Sequence, residues 1–171
     1  MLALELHLDP ESESTVRALW TAIDALGVPS LGSALGADYQ PHVSLAVFAE
    51  VDPSTLVTAF APVLGSCSGL PLTLTSLGFF VGSGSVAFLG VTPTERLLDT
   101  HRRVHAALAD VVEESWSIYQ PGTWVPHCTL AMNVDHPDRL LGLELQFPIP
   151  AVAAEAHVVE ISSGRSIVRL V

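Results

Sequence analysis

Lysine is absent from the 171 residues, and seven arginines are set against eighteen acidic side chains, for a net charge of -11. A partner with a long phosphate backbone needs a stripe of cations, so an extended nucleic-acid duplex is excluded as the expected ligand. Cysteine is nearly absent too. Cys67 and Cys128 could make one bridge at most, and their spacing suggests neither a disulfide framework nor a zinc site, so both read as reduced thiols. The opening "MLALELHLDPESES" has no cationic stretch and turns acidic after eight residues, unlike a signal or transit peptide. No apolar run approaches membrane-spanning length. A soluble cytoplasmic monomer with no membrane partner is the expectation. What the chain has in quantity is apolar residues, 49% against 15% charged, which excludes disorder and provides for a substantial core in a single domain spanning 1-171.

Hydrophobic periodicity gives the element order. Alternation over 2-8 predicts a strand, and "DPESESTVRALWTAIDALG" predicts a helix with an apolar face at Val16, Leu19, Trp20 and Ile23. A Gly/Ser-rich loop, a strand over 43-49 and a helix from about Pro53 to Leu64 follow. "LPLTLTSLGFF" and "SVAFLGV", separated by Gly82-Ser83-Gly84, then read as a hairpin. The second half repeats this order: a helix in "PTERLLDTHRRVHAALADVV", a loop "YQPGTW", a strand from His127, a short helix "HPDRLLGLEL", and a closing hairpin turning at Ser163-Gly164. The repetition predicts a bilobal, duplicated α+β domain with pseudo-repeats of approximately 1-84 and 85-171. Two small antiparallel sheets should face a central cleft with helices on their outer faces. The terminal strands are expected side by side in one lobe.

The repeat is sharpest in "PHVSLA" at 41-46 and "PHCTLA" at 126-131, whose histidines, His42 and His127, stand 85 residues apart. On a strand, residues i and i+2 share a face, so His42 projects with Ser44 and His127 with Thr129. A pseudo-twofold would bring both pairs to one cleft. Two imidazoles there can divide acid and base work at neutral pH, as attack on a phosphodiester requires, while the hydroxyls donate to the non-bridging oxygens. Such chemistry calls for no metal or other cofactor.

Two His-x-(Ser/Thr)-x copies half a chain apart, each preceded by Pro, resemble the 2H phosphoesterase superfamily, and "PHCTLAM" is similar to its 2'-5' RNA ligase-like branch. The resemblance implies a bilobal duplicated fold and cofactor-free cleavage, or reversible formation, of bonds involving a 2',3'-cyclic phosphate or a 2'-5' linkage. It implies His42 and His127 as the acid-base pair and Ser44 and Thr129 as phosphate ligands, without saying which histidine is the base. The RNA-handling branch usually offers a basic groove. This chain's acidity therefore favours hydrolysis of a small nucleotide or short RNA end over ligation.

Around the motifs, Tyr39 and Trp124 each stand three residues before a histidine and could stack on a base or sugar, or simply pack the loops. Arg169, by alternation on the last strand, is expected on the cleft face, where it would suit a phosphate, or else in water at the rim. Glu5 and His7 share the corresponding face of the first strand. His101 and His105 have the i, i+4 spacing of a zinc pair but lack the glutamate and a third ligand, so a solvated helix face is expected. "GSGS" at 82-85 reads as a turn rather than a phosphate loop, and neither His136 nor His157 has an evident partner. Competing readings are a non-catalytic nucleotide or RNA-end binder, a metallohydrolase using the two histidines as ligands, and an acidic partner-binding scaffold.

Overall fold

The computed structural model describes residues 1-82 and 84-171, so the expected turn at Gly82-Ser83-Gly84 lies outside the described residues at Ser83. The chain runs β1 (Leu2–Leu8), α1 (Pro10–Ala25), α2 (Leu31–Leu35), β2 (His42–Phe48), α3 (Pro53–Phe60), α4 (Leu64–Cys67) and β3 (Leu70–Phe80). It continues through β4 (Val86–Val91), α5 (Glu95–Leu108), β5 (His127–Ala131), β6 (Ile149–Glu160) and β7 (Arg165–Arg169). Local chemistry accounts for the helix starts. Asp9 caps α1 by accepting from the Glu11 and Ser12 N–H groups, with Pro10 in the first turn. Asp9 also accepts from the Val152 N–H at 2.8 Å, which ties the head of α1 to β6. The segment expected as one helix from Pro53 to Leu64 is broken into α3 and α4. "HPDRLLGLEL" folds only into a 3-10 turn, Pro137–Gly142. The short α2, inside the Gly/Ser-rich loop, had no periodic signal.

The expected α+β class is observed, with every strand pairing antiparallel. The strands are hydrogen-bonded into one sheet in the order β2-β1-β6-β3-β4-β5, with β7 also on β6. The two small sheets expected from the sequence are therefore half-sheets joined where Leu70–Leu74 of β3 pairs with Ile149–Ala153 of β6. Exchanging β1 with β4, β2 with β5 and β3 with β6 returns the same order reversed, the symmetry a duplicated chain would produce. The terminal strands are not neighbours: β6 lies between β1 and β7, because β7 folds back on β6 through the tight turn at Gly164.

Alternation along β1 sends Leu2, Leu4, Leu6 and Leu8 into the core, where they meet Val16, Trp20 and Ile23 of α1. Burial of such side chains supplies most of the folding free energy. The other face of β1 carries Glu5 and His7, which are also buried, at 5% and 9% exposure. Charged and imidazole groups at that depth need partners, and the partners build the site.

Candidate active site

The registers place the two motifs equivalently. In β1–β2, His7 lies opposite His42 and Glu5 opposite Ser44; in β4–β5, Gly90 lies opposite His127 and Phe88 opposite Thr129. All four motif residues, His42, Ser44, His127 and Thr129, line a single cavity of about 510 Å³. Each imidazole is anchored in the same way. His42 Nδ1 donates to the Gln40 carbonyl at 2.8 Å and His127 Nδ1 to the Val125 carbonyl at 2.7 Å, since a carbonyl can only accept. The Nε2 atoms are left for other partners. Cys128, behind His127, is fully buried, and burial pushes its thiol up to about 12; Cys67 is free and buried as well.

The halves then differ. Glu5 Oε1 lies 3.4 Å from His42 Nε2, while its Oε2 accepts from His7 Nε2 at 3.2 Å. The corresponding position beside His127 holds Phe88, and the Phe80 and Phe88 rings stand 4.9 and 5.4 Å from the imidazole, both edge-on. Gly78 makes this possible, because a Cβ there would lie 2.5 Å from the Phe88 ring. Burial, aided by His42 and opposed by the Val125 carbonyl, holds His127 below the ordinary histidine value. A pattern read from the sequence as nearly symmetric is thus chemically asymmetric.

The structure brings some of the other expected residues to the site and not others. Tyr39 lines the cavity with its ring 5.5 Å from His42, edge-on, and the left-handed Gly164 lets the β6–β7 turn approach it closely. Burial, with a contribution from Glu5, raises its phenol. Trp124 also lines the cavity, but it is 9% exposed, donates to the Ser44 carbonyl at 3.1 Å and stacks on His101 at 4.0 Å. Arg169 does not line the cavity. It lies opposite His157 on the sheet, so its face was read correctly, yet β6 and β1 separate it from β2, roughly 14 Å at about 4.8 Å per strand. Its guanidinium pairs instead with Glu155 at 2.8 Å. His157 donates to the same carboxylate at 2.7 Å, meets Ser166 and stacks on His7 at 4.3 Å.

The lining also includes three aromatic side chains that sequence reasoning did not single out: Tyr119, Trp116 and Phe80. Burial and Glu5 raise the Tyr119 phenol against the pull of the Ser44 hydroxyl. Neither Trp116 nor Tyr119 has an aromatic counterpart 85 residues earlier, where Leu31 and Ala34 stand, so the repeat could not reveal them.

His101 and His105 correct the expectation of a solvated helix face. His101 is 2% exposed and donates to the Tyr119 carbonyl at 2.8 Å, and His105 donates to the Leu45 carbonyl at 3.1 Å. They pin the Tyr119 loop and β2 from behind. Among the described residues no group of three or more His, Cys, Asp or Glu side chains could hold a metal ion. Burial, then the nearby His105, lowers His101 from 6.5 to about 4. Between those values the unfolded chain binds a proton that the native state refuses, so this contribution to stability is complete above pH 6.5 and is lost as pH falls toward 4. His101→Gln keeps an N–H donor without the titration. Melting temperature measured against pH should therefore fall less steeply in this variant across that window, by up to about one proton in the linkage slope. An unchanged slope would count against the assignment.

Among the described residues no helix is long and apolar enough to cross a membrane. No curated protein sequence matches the chain. Two solved structures share its fold: one described as a phosphoesterase, with a TM-score of 0.63 at 19% identity over 98% of this chain and 95% of that one, and E. coli LigT in apo form, with 0.63 at 18% over 99% and 94%. The model of the 2'-5' RNA ligase superfamily matches residues 10–165. A cavity lined by two His-x-(Ser/Thr) strands and a family match across most of the sequence lead to one conclusion: this chain belongs to the 2'-5' RNA ligase (2H phosphoesterase) superfamily.

Proposed function

We propose that the protein is a metal-independent phosphodiesterase that opens a 2',3'-cyclic phosphate or a related small phosphodiester, with His127 as general base and His42 as general acid. The observation that carries the reading is the difference in what surrounds the two rings. His42 donates at Nδ1 to the Gln40 carbonyl and has the Glu5 carboxylate 3.4 Å from its Nε2, a negative charge placed beside the nitrogen that is to carry the proton. His127 has an acceptor at Nδ1 only, and among the described residues its Nε2 has no partner, which leaves a lone pair toward the cavity. Acid and base are thereby separated before substrate enters.

In the hydrolytic step a water oxygen attacks phosphorus and its proton passes to His127 Nε2. The bond from phosphorus to the leaving oxygen breaks, and that oxygen takes the His42 Nε2 proton. One water is consumed, a phosphomonoester forms, and proton exchange with solvent resets the pair. Ser44 and Thr129 donate to the non-bridging oxygens, where negative charge grows. Glu5 acts through His42 as a positioning residue, and His7, Tyr39 and His127 are the other titratable groups facing that ring.

The test is a panel of 2',3'-cyclic nucleotides and 2'-5' dinucleotides assayed with excess EDTA. Turnover of at least one substrate, unchanged by the chelator, is expected. Activity that disappears with EDTA and returns with a divalent cation points to a metallohydrolase. Tight binding with no turnover at any pH points to a non-catalytic binder.

A further inference from the structure

The cavity that holds the four motif residues is unusual in what it offers a phosphate compound. Among the described residues its only carboxylate is Glu5, and none of the seven arginines lines it. The phosphoryl group can be met only by hydroxyls and imidazoles, which suffices for one negative charge. Each additional phosphate would enter a cleft holding a buried carboxylate in a protein of net charge -11, with no arginine to receive it and the one protonated imidazole already committed to the reacting phosphoryl group.

The rim supplies the complementary half of the argument. Trp116, Ile118, Val125 and Met132 line the cavity and remain 44%, 62%, 46% and 53% exposed, with Phe80 and Ile161 beside them at 37% and 38%. Four of these come from the segments that lead into and out of β5. A soluble protein rarely leaves such an apolar cluster in water around a concave site without a ligand to cover it.

Resting on the phosphodiesterase reading of the same site, we infer that the cleft selects a small phosphodiester with a single negative charge and an apolar aryl or alkyl substituent, and discriminates against oligonucleotides. The phosphodiester sits between the two histidines, and the substituent lies along Trp116, Ile118 and Met132. Polyanionic substrates are excluded by charge rather than by size, since the cavity has room for a mononucleotide.

Two measurements separate this inference from the reading it rests on. The first is binding of inert monoanions to the wild-type protein, followed by calorimetry: diphenylphosphinate should bind at least tenfold more tightly than dimethylphosphinate. The second is kcat/KM for 4-nitrophenyl alkyl phosphates, which should rise about tenfold or more from methyl to butyl, given about fourfold for each fully buried methylene. Adding a 5'-phosphate to a 2',3'-cyclic nucleotide should lower kcat/KM at least tenfold. Trp116→Ala, or Ile118→Ala should the first variant fail to fold, should erase most of the diphenyl preference.

Equal affinity for the two phosphinates, or better turnover of the 5'-phosphorylated nucleotide, overturns the inference and leaves the phosphodiesterase reading intact. Selective diphenylphosphinate binding with no hydrolysis of any diester does the reverse. It keeps the ligand class and removes the enzymatic reading.

Discussion

His127→Ala and His42→Ala each lower kcat by about 10²- to 10⁴-fold, the range general acid-base catalysis supplies. The two losses differ in their pH dependence. The base must be neutral, so wild-type rate rises with pH through the His127 titration, which burial places below the ordinary histidine value. The acid must be protonated, so the rate falls again on the alkaline side of the profile. His127→Ala should therefore flatten the acidic limb of the bell, and His42→Ala the basic limb. Removing His42 leaves the Glu5 carboxylate buried with one fewer partner, so His42→Gln serves as its control for folding, followed by circular dichroism. The double variant should be little slower than either single one, because the two groups act in one step. Near-normal turnover in either alanine variant contradicts the acid-base assignment.

Loss of the hydroxyls is the next largest effect. Ser44→Ala and Thr129→Val should each lower kcat by about 10²- to 10³-fold, as expected when a donor to developing oxyanion charge is removed. KM should change little, because the interaction strengthens only as charge builds. The hydroxyls matter more here than beside a cationic site, since no arginine lines the cavity to share the load. Initial-rate kinetics over a full substrate range provides the check. A rise in KM with kcat preserved would show that these side chains bind the ground state only.

Much of this site could be read before any coordinates, and the remainder could not, for identifiable reasons. Period-two alternation fixed the faces of β1, β2 and β5, which was enough to pair His42 with Ser44 and His127 with Thr129. The matched offset of 85 residues then pointed both pairs at one cleft. The difference between the histidines was hidden because it depends on strand register. Glu5 reaches His42 only through the β1–β2 pairing, across a bulge at Leu4/Glu5, and Phe88 takes the equivalent place beside His127. Arg169 illustrates the converse limit. Alternation gave its face correctly and said nothing of how many strands separate it from β2. His101 and His105 were misread because an i, i+4 histidine pair among arginines resembles a wet surface, while the Tyr119 loop that buries them is distant in sequence. The expected pair of separate sheets failed on similar grounds. β6 is long enough to pair with β1 along one edge and with β3 and β7 along the other, and so joins the halves.

The account depends on the two duplicated imidazole-hydroxyl pairs grasping one phosphoryl group together. A crystal structure with diphenylphosphinate bound tests this most directly. The predicted result is one phosphinate between the half-sheets and between the two imidazoles, its oxygens within hydrogen-bond distance of the Ser44 and Thr129 hydroxyls and of the His42 Nε2, with a phenyl ring against Trp116. A phosphinate held by one motif alone, or bound outside the cavity, would contradict it.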